Sequence, residues 1–112
     1  MNASIVALCS DAGMPCVSDP GTLLVHQCYE RGISVFVCPG ASATVSAVAL
    51  SGFPTTKFVF EGFLHTKKSK RLELFETVRS NRAFHGYSLV FFESPNRILN
   101  TIDECMSVLR PD

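Results

Sequence analysis

Cys9-Ser10-Asp11-Ala12-Gly13-Met14-Pro15-Cys16-Val17-Ser18-Asp19-Pro20-Gly21 follows the apolar run Ile5-Val6-Ala7-Leu8 and precedes an apolar segment that begins at Leu23. A strand, then a loop of small residues with two carboxylates, then a helix is the local order by which an open α/β sheet builds a ligand site at the carboxyl end of a strand. Small residues let a ligand approach the backbone, and free N–H groups and Asp side chains hold hydroxyl, amine or carboxylate groups. The same residues also suit a sharp strand-to-helix connection with no ligand. Two further loops of the chain bear on that choice.

Ile5 to Cys9 is short, apolar and β-branched, and predicts a fully buried strand. Pro20 and Gly21 open a helix over Leu23 to Arg31, with Leu23, Leu24, Gln27 and Cys28 on one face and Gly32 at its end. Asp19 reads as the cap of that helix. Ile33 to Cys38 predicts a second buried strand, followed at once by the small-residue loop Pro39-Gly40-Ala41-Ser42-Ala43. Ala43 to Leu50 is rich in Ala and Val and short of charge, which predicts a helix packed on nearly all sides and stopped by Ser51-Gly52-Phe53-Pro54.

Phe58 to Glu61 reads as a third strand, with Gly62 after it. Lys67-Lys68-Ser69-Lys70-Arg71 leads into an amphipathic helix that carries Leu72, Phe75 and Val78 on one side. Asn81 to Tyr87 is a loop, Leu89 to Glu93 a fourth strand, and Ser94-Pro95-Asn96-Arg97 a third strand-to-helix loop. Ile98, Ile102, Cys105, Met106 and Leu109 supply the apolar face of a last helix, which Pro111 ends. The fold class is α/β: a parallel βαβαβ half-domain over residues 1–62, then part of a second α/β domain over 63–112. The second part has one clear strand, and one strand makes no sheet, so the fold is expected to be incomplete at both ends.

A length of 112 residues with 46% hydrophobic and 18% charged side chains places the chain among globular domains with a real core. Formal net charge is +0, so any nucleic-acid contact must come from a local patch. Lys67, Lys68, Lys70 and Arg71 form one, with Arg97 a second candidate for the same surface. A basic cluster at a helix start is more often a plain solvated face, although the helix dipole disfavours cations there, which slightly raises the functional reading. No apolar stretch is long enough to span a membrane, and Met1-Asn2-Ala3-Ser4 has no basic leader, which points to a cytoplasmic protein. The five cysteines, an odd count with no CxxC pair, read as reduced thiols, with Cys9 and Cys38 buried among apolar neighbours. His26, His65 and His85 are scattered, and no metal site is expected.

Three loops at three strand ends resemble, in order, one known family. Val6 to Gly13 with Pro15 and Ser18-Asp19-Pro20-Gly21 is similar to the signature of the tetrapyrrole methylase superfamily. Pro39-Gly40-Ala41-Ser42-Ala43, Ser51-Gly52-Phe53-Pro54-Thr55, Phe60-Glu61-Gly62-Phe63-Leu64 and Phe92-Glu93-Ser94-Pro95-Asn96-Arg97 resemble its bacterial small-subunit ribosomal RNA (cytidine-2′-O)-methyltransferase subfamily. The resemblance covers essentially the whole chain. It implies two α/β domains, a junction at Gly62 and S-adenosylmethionine as methyl donor. The family's cofactor loops map onto Cys9, Ser10, Asp11 and Met14, then Ser42 and Ala43, with Glu93 from the second domain.

The resemblance further implies a partner in ribosomal RNA or the small ribosomal subunit, a homodimer when full length, and methylation of a cytidine ribose oxygen. Asp11, Asp19, Glu61 and Glu93 are the carboxylates near strand ends, and none is singled out as a base. Met14, His65 and Asn96 stand where the subfamily usually has Thr, Pro and His. The family chain also has a further glycine-containing loop before this stretch and more strands after it. The chain therefore reads as an internal fragment with little activity of its own. A methylase of the same fold acting on a tetrapyrrole or small molecule, and an inactive fragment with only a binding role, are the competing readings.

Overall fold

Phe58-Val59-Phe60 and Leu89-Val90-Phe91-Phe92 are runs of aromatic, β-branched and aliphatic residues, the kind that fits a pleated, half-buried surface. They are the two runs that pair. In the computed structural model, which describes residues 4–54 and 56–109, β1 (Phe58–Phe63) lies parallel to β2 (Ser88–Phe92). The helices are α1 (Thr22–Glu30), α2 (Ala43–Leu50), α3 (Lys68–Ser80) and α4 (Ile98–Leu109), with a 3₁₀ turn at Arg82–Phe84. The architecture is mixed α/β, and α3 forms the crossover between the parallel strands.

The chain divides into two units, Met1–Ala47 and Val48–Asp112. In the second unit, Leu64, Phe75 and Val108 form the buried core. Leu72, Leu74, Phe91, Cys105 and Leu109 pack against them. Phe92 meets Phe60 and Phe63 edge-on, with ring centroids 4.9 and 5.4 Å apart, a favourable arrangement for ring quadrupoles. Phe60 pairs with Val90, but Phe63 pairs with Phe92, so β1 holds one extra residue between these pairs. Gly62, at φ +67°, sits in this bulge and supplies a backbone geometry that few side chains tolerate. Gly62 lies inside β1, and residues on both sides of it join one ladder.

The expected strands at Ile5–Cys9 and Ile33–Cys38 do not form: among the described residues the sheet is β1 and β2 alone. Ile5 is 100% exposed and Phe36 89%, so these runs are not buried either. An apolar run becomes a strand only through ladder partners and a covered face, and neither run here has ladder partners among the described residues. Cys9 and Cys38 are exposed for the same reason, against the expectation of buried thiols.

In α1, Gly21 rather than Asp19 occupies the cap position, and no side chain caps the helix. Its φ of +129° is open to glycine alone, and a Cβ there would lie 2.5 Å from Leu8 Cδ2 and 2.8 Å from Cys16 Sγ. The other end of α1 follows the sequence closely. Gly32 adopts φ +65°, its N–H donates to the Tyr29 carbonyl at 3.1 Å, and the Ile33 N–H donates to the Cys28 carbonyl at 2.9 Å, the double bond of a Schellman ending.

Helix α2 has the expected bounds but not the expected burial. Thr44 and Val48, one turn apart, are its buried residues, while Val45 and Leu50 are exposed. In α4 the buried face is Thr101, Glu104 and Val108, whereas Ile98, Ile102 and Met106 point outward. The rotation has a polar cause: Thr101 and Glu104 partner buried groups just after β2 and on α3. Pro111 lies outside the described residues.

Candidate functional site

The loop after Leu8 closes on itself through one hydroxyl. Ser10 Oγ lies 2.9 Å from the Ala12 carbonyl and 3.1 Å from that of Gly13, and donates to them. Its hydroxyl hydrogen is therefore used within the loop. Cys9 and Asp11 are exposed, and Met14 is half-buried. Cys16 and Ser18 hold positive φ, +69° and +54°, so non-glycine residues carry strain in the turn that leads to α1.

The second predicted loop lies against the first. A Cβ on Gly13 would be 3.2 Å from the Ala41 carbonyl, and one on Gly40 would be 3.5 Å from Met14 Sδ. These glycines let two loops from different parts of the chain run close together. Ser42 then starts α2: its hydroxyl accepts from the Val45 N–H at 3.4 Å, and its carbonyl accepts from the Ser46 N–H at 2.9 Å and the Ser46 hydroxyl at 2.8 Å. Cys9, Ser10, Asp11, Met14, Ser42 and Ala43 thus belong to one unit and to two loops in contact.

A group that the sequence reading missed sits one residue further on. Thr44 is 5% exposed, and its Oγ1 is buried with no hydrogen-bond partner among the described residues. An unpaired buried hydroxyl is costly and calls for an explanation. The signal for it was a threonine hydroxyl in the first turn of a helix with no charged residue. An exposed carboxylate, exposed backbone, a thioether and a helix start fit a nucleoside-bearing amino-acid cofactor such as S-adenosylmethionine, which needs partners for hydroxyl, ammonium and carboxylate groups.

Glu93 belongs to the other unit and directly follows β2. Its side chain is 1% exposed. One carboxylate oxygen accepts from the Ser94 N–H at 2.7 Å and pairs with Arg97, and the other accepts from the Thr101 hydroxyl at 2.9 Å. Burial pushes its pKa up, but these donors outweigh burial and hold it below the ordinary 4.5. The carboxylate is engaged within its own loop, so it shapes the turn into α4.

The five basic candidates divide. Lys67, Lys68 and Lys70 are exposed, and Lys70 pairs with Glu73 at 2.7 Å. Arg71 is not part of that surface: it is 6% exposed, and its fork grips Glu104 through Nε at 2.7 Å and Nη2 at 2.8 Å. Its Nη1 donates to the His65 and Thr66 carbonyls at 2.9 and 2.8 Å. The Arg71 hydrogen bond holds the Glu104 pKa below 4.5, and Glu104 in turn raises that of Arg71. With four of its five N–H donors engaged and its side chain buried, Arg71 is not placed to meet an RNA phosphate. Arg97 is also turned inward, onto Glu93 and, at 3.4 Å, the Leu64 carbonyl. Glu61 is exposed in the bulge of β1. Among the described residues no helix is long and apolar enough to cross a membrane, and no three His, Cys, Asp or Glu side chains converge.

The model of the family described as Tetrapyrrole (Corrin/Porphyrin) Methylases matches residues 2–112. Curated relatives carry the name ribosomal RNA small subunit methyltransferase I. The one from Thermotoga maritima is 49% identical over 104 residues, which is 93% of this chain and 45% of that protein. The one from Haemophilus influenzae is 44% identical over 106 residues, 95% of this chain and 36% of that protein. The one from Halalkalibacterium halodurans is 43% identical over 104 residues, 93% of this chain and 35% of that protein. The chain thus spans less than half the length of the curated relatives it matches. With loop order, α/β architecture and family match in agreement, the chain belongs to the tetrapyrrole methylase family.

Proposed function

We propose that this chain is part of an S-adenosylmethionine-dependent methyltransferase that methylates a cytidine ribose 2′-oxygen in small-subunit ribosomal RNA. The observation that carries the cofactor assignment is the close approach of the 9–16 loop to the 39–43 loop through Gly13 and Gly40. The names of the relatives support the RNA substrate. In this reading the backbone of Cys9, Ser10 and Ala43, the Asp11 carboxylate, Met14 and Ser42 hold the cofactor. Glu93 acts by fixing the loop into α4. The bound cofactor would supply an electrophilic methyl group that passes to the ribose oxygen as its bond to sulfur breaks, the thioether leaving and the hydroxyl proton going to solvent, and the protein supplies proximity and alignment. A cytoplasmic setting and a homodimer of the longer protein complete the proposal.

Calorimetric titration of the chain with S-adenosylmethionine, with circular dichroism of the same sample, tests the cofactor site. Micromolar binding to a folded chain is expected, weakened roughly 10-fold or more in D11N by loss of a charged hydrogen bond. A folded chain with no binding heat overturns the assignment of the site to these loops. Methyl transfer by a longer form to small-subunit ribosomal RNA, and none to a free tetrapyrrole, is the outcome expected for the substrate; the reverse transfers the proposal to tetrapyrrole chemistry.

A further inference from the structure

The turn that joins β1 to α3 is held by two glutamate–arginine pairs. Three successive carbonyls in it accept from guanidinium groups: Leu64 from Arg97 at 3.4 Å, His65 and Thr66 from Arg71 at 2.9 and 2.8 Å. Arg97 is anchored on Glu93, just after β2, and Arg71 on Glu104, in α4. The Leu64 N–H adds a bond to the Phe92 carbonyl at 3.3 Å, and the Lys67 N–H donates to His65 Nδ1 at 3.0 Å. The turn lies at the carboxyl ends of parallel strands, where α/β sheets place ligands.

Directly after this braced turn come Lys67, Lys68 and Lys70, all exposed. The first turn of α3 holds no carboxylate and no side chain caps it. Lys67 and Lys68 make no ion pair within 4.0 Å among the described residues, and Lys70 has only the solvent-exposed Glu73. Surface pairs of that sort contribute little and yield to a competing anion. Unpaired cations beside the positive end of a helix are locally unfavourable. A phosphate chain laid across them relieves that repulsion.

We propose that Lys67, Lys68 and Lys70 are a lysine-only contact surface for the RNA phosphate backbone, carried on a turn that Arg71 and Arg97 hold rigid from within. The proposal rests on the RNA reading above and deepens it. It assigns phosphate contact to the lysines and positioning to the arginines. Lysines act here as mobile point charges that give affinity and orientation without base readout.

The test is anisotropy of a labelled single-stranded RNA oligonucleotide with the chain over a salt series, for wild type, K67Q/K68Q and K57Q. Lys57 lies over the Tyr87 ring, 5.5 Å from its centroid, at the opposite end of β1, so K57Q makes a charge change off the patch. The double variant is expected to bind several-fold more weakly and to lose roughly 1.4 from the salt slope, about 0.7 per phosphate contact. Its circular dichroism and melting temperature should match wild type, and K57Q should keep both affinity and slope. If K67Q/K68Q binds as wild type does, or K57Q loses as much, the lysine surface fails while the RNA reading stands. If wild type does not bind RNA at low salt, the RNA reading fails and this proposal with it. Competition by polyglutamate as effective as that by unlabelled RNA assigns the patch to an acidic protein and overturns it.

Discussion

Gly21 and Gly32 separate two reasons for a glycine. Both hold positive φ, +129° and +65°. A Cβ at Gly32 meets nothing within 4 Å, whereas one at Gly21 would strike Leu8 and Cys16. G32A is therefore expected to cost about 1 kcal/mol, the backbone strain alone. G21A places a side chain at φ +129°, which L residues adopt even less readily than the left-handed region, and so should cost clearly more, with the difference read by urea unfolding of the two variants side by side. Equal costs would mean that the loop before α1 gives way freely. The C-terminal glycine was legible because Arg31-Gly32 follows an apolar-periodic run. Gly21 was not read as a cap, since Asp19 is the better cap former by type and the clash lies in contacts that no local pattern encodes.

Glu104 shows what decides the face of an element. Apolar spacing in α4 favours Ile98, Ile102 and Met106, yet Thr101 and Glu104 are the ones turned inward. They are there because Arg71 and Glu93 need partners, and one unpaired buried charge outweighs a few half-exposed aliphatic side chains. The same limit hides the unformed strands at Ile5–Cys9 and Ile33–Cys38: helix bounds are written locally, but a ladder depends on partners. Both Glu93 and Glu104 titrate below their ordinary 4.5 in the folded chain. A depressed carboxylate contributes stability that is present above its unfolded value and is lost as pH falls through the folded one. Thermal stability should therefore drop on acidification from just above pH 4.5 downward. E104Q should cost about 2 kcal/mol near neutral pH by removing a charged hydrogen-bond acceptor and should flatten the acid limb. An E104Q chain with an unchanged acid limb would refute Glu104 as the titrating group.

For the whole molecule, the decisive fact is where apolar burial lies. Among the described residues, the buried apolar side chains are Val48, Leu64, Phe75 and Val108, all in the second unit. Of the described residues in the first unit only Thr44 is buried, while Ile5, Val6, Phe36 and Val37 are open to water. Hydrophobic burial is the main favourable term in folding, so the two units cannot be equally stable. Native-state hydrogen exchange should find slow amides in β1, β2, α3 and α4, and near-unprotected rates over residues 4–10 and 33–40. The cofactor loops then sit in the less stable unit, where a ligand that binds only the ordered state gains stability by mass action. S-adenosylmethionine should accordingly slow exchange in residues 9–16 and 41–46 and leave β1 and β2 unchanged. If the first unit were protected as strongly as the second without ligand, burial would not be what sets stability here. If the ligand slowed β1 and β2 while 9–16 stayed fast, the cofactor would bind elsewhere than the paired loops.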